Sequence, residues 1–153
     1  MTAAFHAYPS AQHFYPIYSR AEPMYADLVE FDRSGEYSTT EYAFVANAPK
    51  IMHFTANVLW QSLVDGAYMT PLFFIKRVGW PDYKELAGTD LIARQLAPSM
   101  HNQGQCLSRL VSLQAGDKVQ CRPCIAANPG LYLTNAVSGD GINTCNYFSG
   151  FEV

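Results

Sequence analysis

One stretch constrains the fold more than any other, the run FDRSGEYSTTEYAFVANAPKIMHFTANVLW from Phe31 to Trp60. In its second half Met52, Phe54, Ala56, Val58 and Trp60 share one parity. His53, Thr55 and Asn57 take the other, and only Leu59 breaks the alternation. Period two is what a strand needs to bury one face and wet the other. Upstream, Tyr42, Phe44 and Ala46 alternate with Glu41 and Ala43, and the NAPK segment at 47–50 supplies turn formers between the runs. These residues predict a pair of antiparallel core strands joined by a short turn.

The remaining chain reads in the same way. Ala3 to Tyr8 is a first short strand stopped by Pro9, with Phe5 and Ala7 as core residues. Residues 9–23 are irregular and aromatic, punctuated by Pro16 and Pro23, and are a candidate docking arm. Met24 to Phe31 forms a strand with Leu28 in the core, and Arg33-Ser34-Gly35 forms a turn. Asp65-Gly66 is the strongest short hairpin signal. Tyr68 to Val78 is a long apolar strand in which Pro71 marks an edge or a bulge. A polar loop at 79–88 carries Trp80 and Tyr83, the segment 90–96 fits helix or strand, and 99–105 is a loop. From Cys106 to Ala126 two alternating runs flank Gln114-Ala115-Gly116-Asp117, which predicts a hairpin.

A chain of 153 residues fits one domain with a sizeable core. Aromatic residues at 14% against only 15% charged favour strands, and exceed what a small monomer hides easily, so an oligomer interface is expected. A net charge of −3 leaves no basic footprint for nucleic acid. No apolar run approaches the ~20 residues of a membrane span. The N-terminus lacks the basic and apolar regions of a secretory signal. With Met1 at its start and no stalk, the expectation is a complete small gene product made in a cytoplasm.

Chemistry-bearing motifs are few. Cys121-Arg-Pro-Cys124 has zinc or redox spacing, but a redox pair belongs at a helix N-terminus and this one lies on a strand. If Leu113 faces Lys118 across the turn, Cys106 falls almost opposite Cys124, with Cβ atoms ~4.5–5.5 Å apart and close to disulfide reach. Free thiols, a disulfide and a metal site all stay open for the four cysteines. His6, His13, His53 and His101 show no ligand spacing, and His53 lies opposite in parity to its strand's core, as a surface or interface residue would. Neither a zincin helix, a nucleophile elbow nor a phosphate loop occurs, so no catalytic residue and no organic cofactor is expected. Ser138 to Asn143 offers oxygen atoms from Asp140 and Asn143 but lacks the ligand count of a calcium loop.

Three phrases in order resemble a known family. They are Phe44-Val-Ala46-Asn-Ala-Pro49 with Met52-His-Phe54-Thr-Ala56-Asn-Val58-Leu-Trp60, then Leu113 with Gly116, Asp117 and Val119, then Phe148-Ser-Gly-Phe151. Together they resemble the globular head of complement component one-q, which shares its jelly roll with the tumour necrosis factors. The bacterial and bacteriophage branch is the closest in style. Lys50 stands near where that family usually has Gly, and Met52 where it usually has Tyr. The resemblance implies a two-sheet antiparallel jelly roll of about eight to ten strands, assembled as a homotrimer with its first and last strands near the axis. Phe5, Tyr8, Tyr147 and Phe151 are then interface candidates, and Asp65, Gly66, Trp80 and Tyr83 candidates for an outward binding face. Some members bind calcium near the top of the trimer, which the resemblance extends to no residue here. The function it implies is a structural or adhesive protein of a bacteriophage virion, such as a capsid decoration, fibre head or tail knob. Its partners would be other virion proteins or a host-surface glycan or protein. The alternative is an extracellular trimeric ligand or lectin-like module that binds a cell-surface protein or glycan.

Overall fold

The computed structural model describes residues 2–11, 13–15, 22–61, 68–86, 102–126, 131–133 and 146–153, and every regular element among them is a strand. In chain order these are β1 (Ala4–Tyr8), β2 (His13–Tyr15), β3 (Leu28–Asp32), β4 (Tyr37–Ser38), β5 (Ala43–Val45), β6 (Lys50–Gln61), β7 (Tyr68–Lys76), β8 (Lys84–Glu85), β9 (Asn102–Leu113), β10 (Lys118–Ala126), β11 (Leu131–Leu133) and β12 (Tyr147–Glu152). They form two antiparallel sheets stacked as a jelly-roll sandwich, with more strands than the turn signals predict. One of the extra strands, β2, lies in the stretch expected to be irregular.

The alternating run is the spine of the larger sheet. β6 pairs along its length with β9 and on its other edge with β12, followed by β1 and β3, while β11 and β2 extend the sheet beyond its far end. The smaller sheet runs β4-β5-β10-β7-β8. Within it Pro71 faces Pro123, a pairing tolerated only where neither residue owes a ladder hydrogen bond to the other.

The hairpins predicted at 47–50 and 114–117 are instead corners where the chain passes from one sheet to the other, and β6 and β7, which flank the Asp65-Gly66 hairpin signal, likewise lie in different sheets. β5 belongs to the smaller sheet and β6 to the larger, and β9 and β10 are split in the same way. Buried charge fixes each corner. At the first, Lys50 Nζ lies 2.6 Å from Glu36 Oε1, with both side chains almost wholly buried. At the second, the Asp117 carboxylate accepts the amides of Gln114 and Val78 and pairs with the Arg77 guanidinium. The two corners also bind each other, since Gly116 N–H donates to Ala46 O and Ala46 N–H to Asp117 O. Gly116 is required there, with φ at +87° and a prospective Cβ only 2.8 Å from Val78. Lys50 is thus the partner of Glu36.

The turn at Arg33-Ser34-Gly35 has an equally local cause. Asp32 accepts the amides of Gly35, Glu36 and Tyr37, which closes the turn into β4. Between the sheets the core is aromatic. Phe5 stacks on Tyr37 and Phe44 at 5.0 and 5.4 Å and meets Phe148 edge-on at 5.0 Å. Such pairs add ~0.5–1.5 kcal/mol each beyond the area that they bury. Leu28, expected in the core, is 43% exposed. Register slips between His6 and Ala7 where β1 meets β3, β3 is the sheet edge, and Met24 and Ala26 fill the core in its place.

Candidate functional site

Parity along four neighbouring strands sends one set of side chains away from the core, on the outer face of the larger sheet. β1 contributes His6 and Tyr8, and β12 contributes Tyr147, Ser149 and Phe151. From β6 come Ile51, His53, Thr55 and Asn57, and from β9 Cys106, Ser108, Leu110 and Ser112. None of these is Asp, Glu, Lys or Arg. Outward positions of a half-buried sheet are ordinarily polar and charged. Here Ile51, Leu110 and Phe151 are each at least half exposed, and Phe31 of β3 extends the apolar surface.

The polar groups on this face bond to one another rather than outward. Thr55 and Ser149 hydroxyls lie 2.7 Å apart, Cys106 Sγ–H donates to Asn57 Oδ1, and Ser108 Oγ lies 2.6 Å from His53 Nε2. Cross-strand satisfaction of this kind is what a surface needs before it is covered. His53 packs on Phe151 at 5.0 Å, and its Nδ1 is buried with no hydrogen-bond partner among the described residues. His6 is ringed by Tyr147, Tyr8 and Phe31 at 5.2, 6.2 and 6.2 Å. Burial lowers its pKa, against the opposing pull of the Glu30 carboxylate at 3.8 Å.

The interface candidates separate by parity. Tyr8 and Tyr147 are half-buried on this face and Phe151 is exposed on it, but Phe5 points the other way and is 1% exposed in the core. Sequence reasoning missed Ile51, Leu110 and His6 as members of the face. The signal was present in the alternation, since each has parity opposite to a core residue beside it.

The Cys106–Cys124 pairing is corrected by the sheet assignment. Cys106 faces Asn57 in the larger sheet and Cys124 faces Thr70 in the smaller, so the two are not cross-strand neighbours. Cys106 is a free, exposed thiol, Cys121 a free, buried one, and Cys124 is buried. Burial pushes the Cys121 thiol far up. Among the described residues no three His, Cys, Asp or Glu side chains converge as metal ligands do. The Ser138–Asn143 loop lies outside the described residues.

The outward candidates sit on the smaller sheet. Trp80 is exposed in the turn after β7, with Lys84 Nζ 4.5 Å over its ring. Tyr83 is half-buried against Leu72, Phe74 and Cys124. The Arg122 guanidinium lies 4.6 Å from the Phe74 ring and 4.7 Å from the Tyr83 ring. Burial pushes Tyr83 up to about 12 and holds Arg122 below its ordinary value. Asp65 and Gly66 lie outside the described residues. No described helix exists that could cross a membrane.

No protein-family model and no curated protein matches the chain. Solved structures do. The globular domain of the zebrafish complement 1qA protein is 14% identical with a TM-score of 0.62, over 97% of this chain and 95% of that one. The Eiger tumour necrosis factor of S. frugiperda is 9% identical with a TM-score of 0.69, over 100% and 92%. Murine APRIL at pH 5.0 is 12% identical with a TM-score of 0.68, over all of both chains. All three are animal proteins, so the bacteriophage branch rests on the sequence phrases alone. At such identities the likeness speaks for architecture, and the architecture is the complement 1q and tumour necrosis factor jelly roll.

Proposed function

We propose that this chain is a self-assembling, non-catalytic binding module. Copies pack through the outer face of the larger sheet and present the Trp80 side of the smaller sheet to a cell-surface protein or glycan. The charge-free outer face carries this reading. An apolar surface on which Thr55 with Ser149, Cys106 with Asn57 and Ser108 with His53 are already paired costs little to cover and is costly to leave in water. Three copies is the number that the family resemblance implies. It is reached when the face of one protomer meets a different surface of the next and the ring closes.

Light scattering on a sizing column tests the assembly. The expected result is a species of three 17.0 kDa chains. Leu110→Asp would place a carboxylate on the face and reduce that species to single folded chains. A wild-type monomer overturns the reading. The phage-style phrases give a second, finer setting, in which the trimer sits on a virion surface. Co-sedimentation with particles from a producing host supports that setting, and its absence removes it.

A further inference from the structure

The outer face holds two imidazoles and no formal charge on its four central strands. We infer that assembly through this face is gated by pH, closing when His6 and His53 are neutral and opening when they take up protons. The inference rests on the assembly proposed above and concerns the regulation of that same surface.

Each ring is poorly placed to be a cation under a cover. An imidazolium has two N–H donors that need acceptors. For His53, one nitrogen has Ser108 Oγ at 2.6 Å, while Nδ1 is buried with no partner among the described residues. A proton there leaves a buried donor unpaired, which is costly. Ser108 and Leu110 face the ring from β9 and Phe151 from β12, none of them an anion. Arg109, between Ser108 and Leu110 on β9, pairs with Phe54 and so has the opposite parity to the ring's neighbours.

For His6 the facing groups are Tyr147 from β12, Phe31 and Glu30 from β3, and Tyr8 along its own strand. Glu30 is the one carboxylate in ion-pair reach of either ring among the described residues. Its side chain is 49% exposed, and burial of His6 outweighs it. Covering both rings with a second copy removes more water from the charged forms and leaves the neutral forms little affected.

The direction follows by linkage. A histidine depressed further by assembly contributes stability that is fully present above its value in the free protomer and is lost as the pH falls below that value. For His6 the value in the free protomer already lies below 6.5. The subunit dissociation constant should therefore rise by roughly tenfold per pH unit for every linked proton.

The test compares oligomeric mass at about pH 7.5 and about pH 5 for the unmodified chain and for the chain carrying His6→Phe and His53→Gln. Far-ultraviolet circular dichroism follows the strands. The expected result is an oligomer at the higher pH, folded 17.0 kDa chains at the lower, and a double variant that stays assembled at both. A single chain at both values overturns the assembly reading and this inference with it. An oligomer unchanged at the lower pH overturns the inference alone, as does a double variant that dissociates like the unmodified chain. Should the double variant not assemble at the higher pH, the dissociation constant of the unmodified chain across the range decides. A rise with acidity supports the gate, and a flat profile overturns it.

Discussion

The ring of Phe5 fills the space that a side chain on Gly150 would need. A Cβ built at Gly150 would stand 2.9 Å from Phe5 Cε1 and 2.9 Å from Phe54 Cδ1. Both rings are fully buried, and both pair in register with Gly150, on β1 and β6. Gly150→Ala must therefore displace the aromatic core. Overpacking of this kind costs ~1–3 kcal/mol, and each kcal/mol lowers the melting temperature of a domain this size by about 2–4 °C. Thermal melts of Gly150→Ala beside Ser149→Ala, which alters only the outer face, check it. Equal melting temperatures for the two would refute the packing argument.

That glycine sits in a phrase visible in the sequence, and the contrast with other phrases shows what a strand pattern encodes. Parity assigned Met52, Phe54, Ala56 and Val58 to the core, and all four are buried there. Parity does not say which strand lies alongside. A four-residue turn looks the same whether the chain folds back into its own sheet or rolls into the facing one. The hairpins predicted at 47–50 and 114–117 were for that reason corners, and the Cys106–Cys124 pairing fell with the second. The partners that decide the matter are remote in sequence, Lys50 with Leu113 and Val119 with Phe44. The grouping of Phe5 with Tyr8 was a different failure. The two have opposite parity, so alternation already separated them.

Acid should weaken the sandwich at its corners. Burial is the largest single influence and raises Glu36 and Asp117, but the opposing contacts together leave both below their ordinary values of 4.5 and 3.8. For Glu36 these contacts are Lys50 and the Asn47 amide, and for Asp117 the Gln114 amide, Arg77 and the Val78 amide. Groups depressed in the folded state stabilise it above their unfolded values. That contribution is lost as the pH falls below 4.5 and then 3.8. Denaturant melts should show the loss. Glu36→Ala, which strands the Lys50 ammonium, should cost about 3–5 kcal/mol near neutrality and flatten the acid dependence. An unchanged acid slope in that variant would contradict the assignment.

Thiol reactivity should separate the cysteines by burial rather than by pairing. Of Cys106, Cys121 and Cys124, only Cys106 is exposed. The thiolate is the reactive form, and burial holds Cys121 as a thiol. Alkylation of the native chain read by peptide mass spectrometry should mark Cys106 first and Cys121 only with unfolding. Covering the outer face in the oligomer should slow Cys106 as well, so its rate should rise with dilution. Early labelling of Cys121 would be incompatible with this core.

Trp80 and Tyr83 are neighbours in sequence with opposite consequences on removal. Trp80 stands exposed in a turn, held by its own N–H to Arg77 O and by the positive φ of Gly79, with Lys84 over its ring. It belongs to neither core cluster, so Trp80→Ala should change stability by under about 1 kcal/mol. Tyr83 packs against Leu72, Phe74 and Cys124 and stacks with Arg122. Tyr83→Ala exposes that cluster and should cost ~2–4 kcal/mol. If the Trp80 turn is the surface offered to a partner, an exposed aromatic at its centre supplies a large share of the affinity. Trp80→Ala should then weaken binding by about 2 kcal/mol or more, some thirtyfold, while the melting temperature stays put. A glycan array probed with wild type and with Trp80→Ala, beside melts of both, measures the two effects separately. Glycan binding that survives Trp80→Ala intact would move the contact surface elsewhere on the smaller sheet.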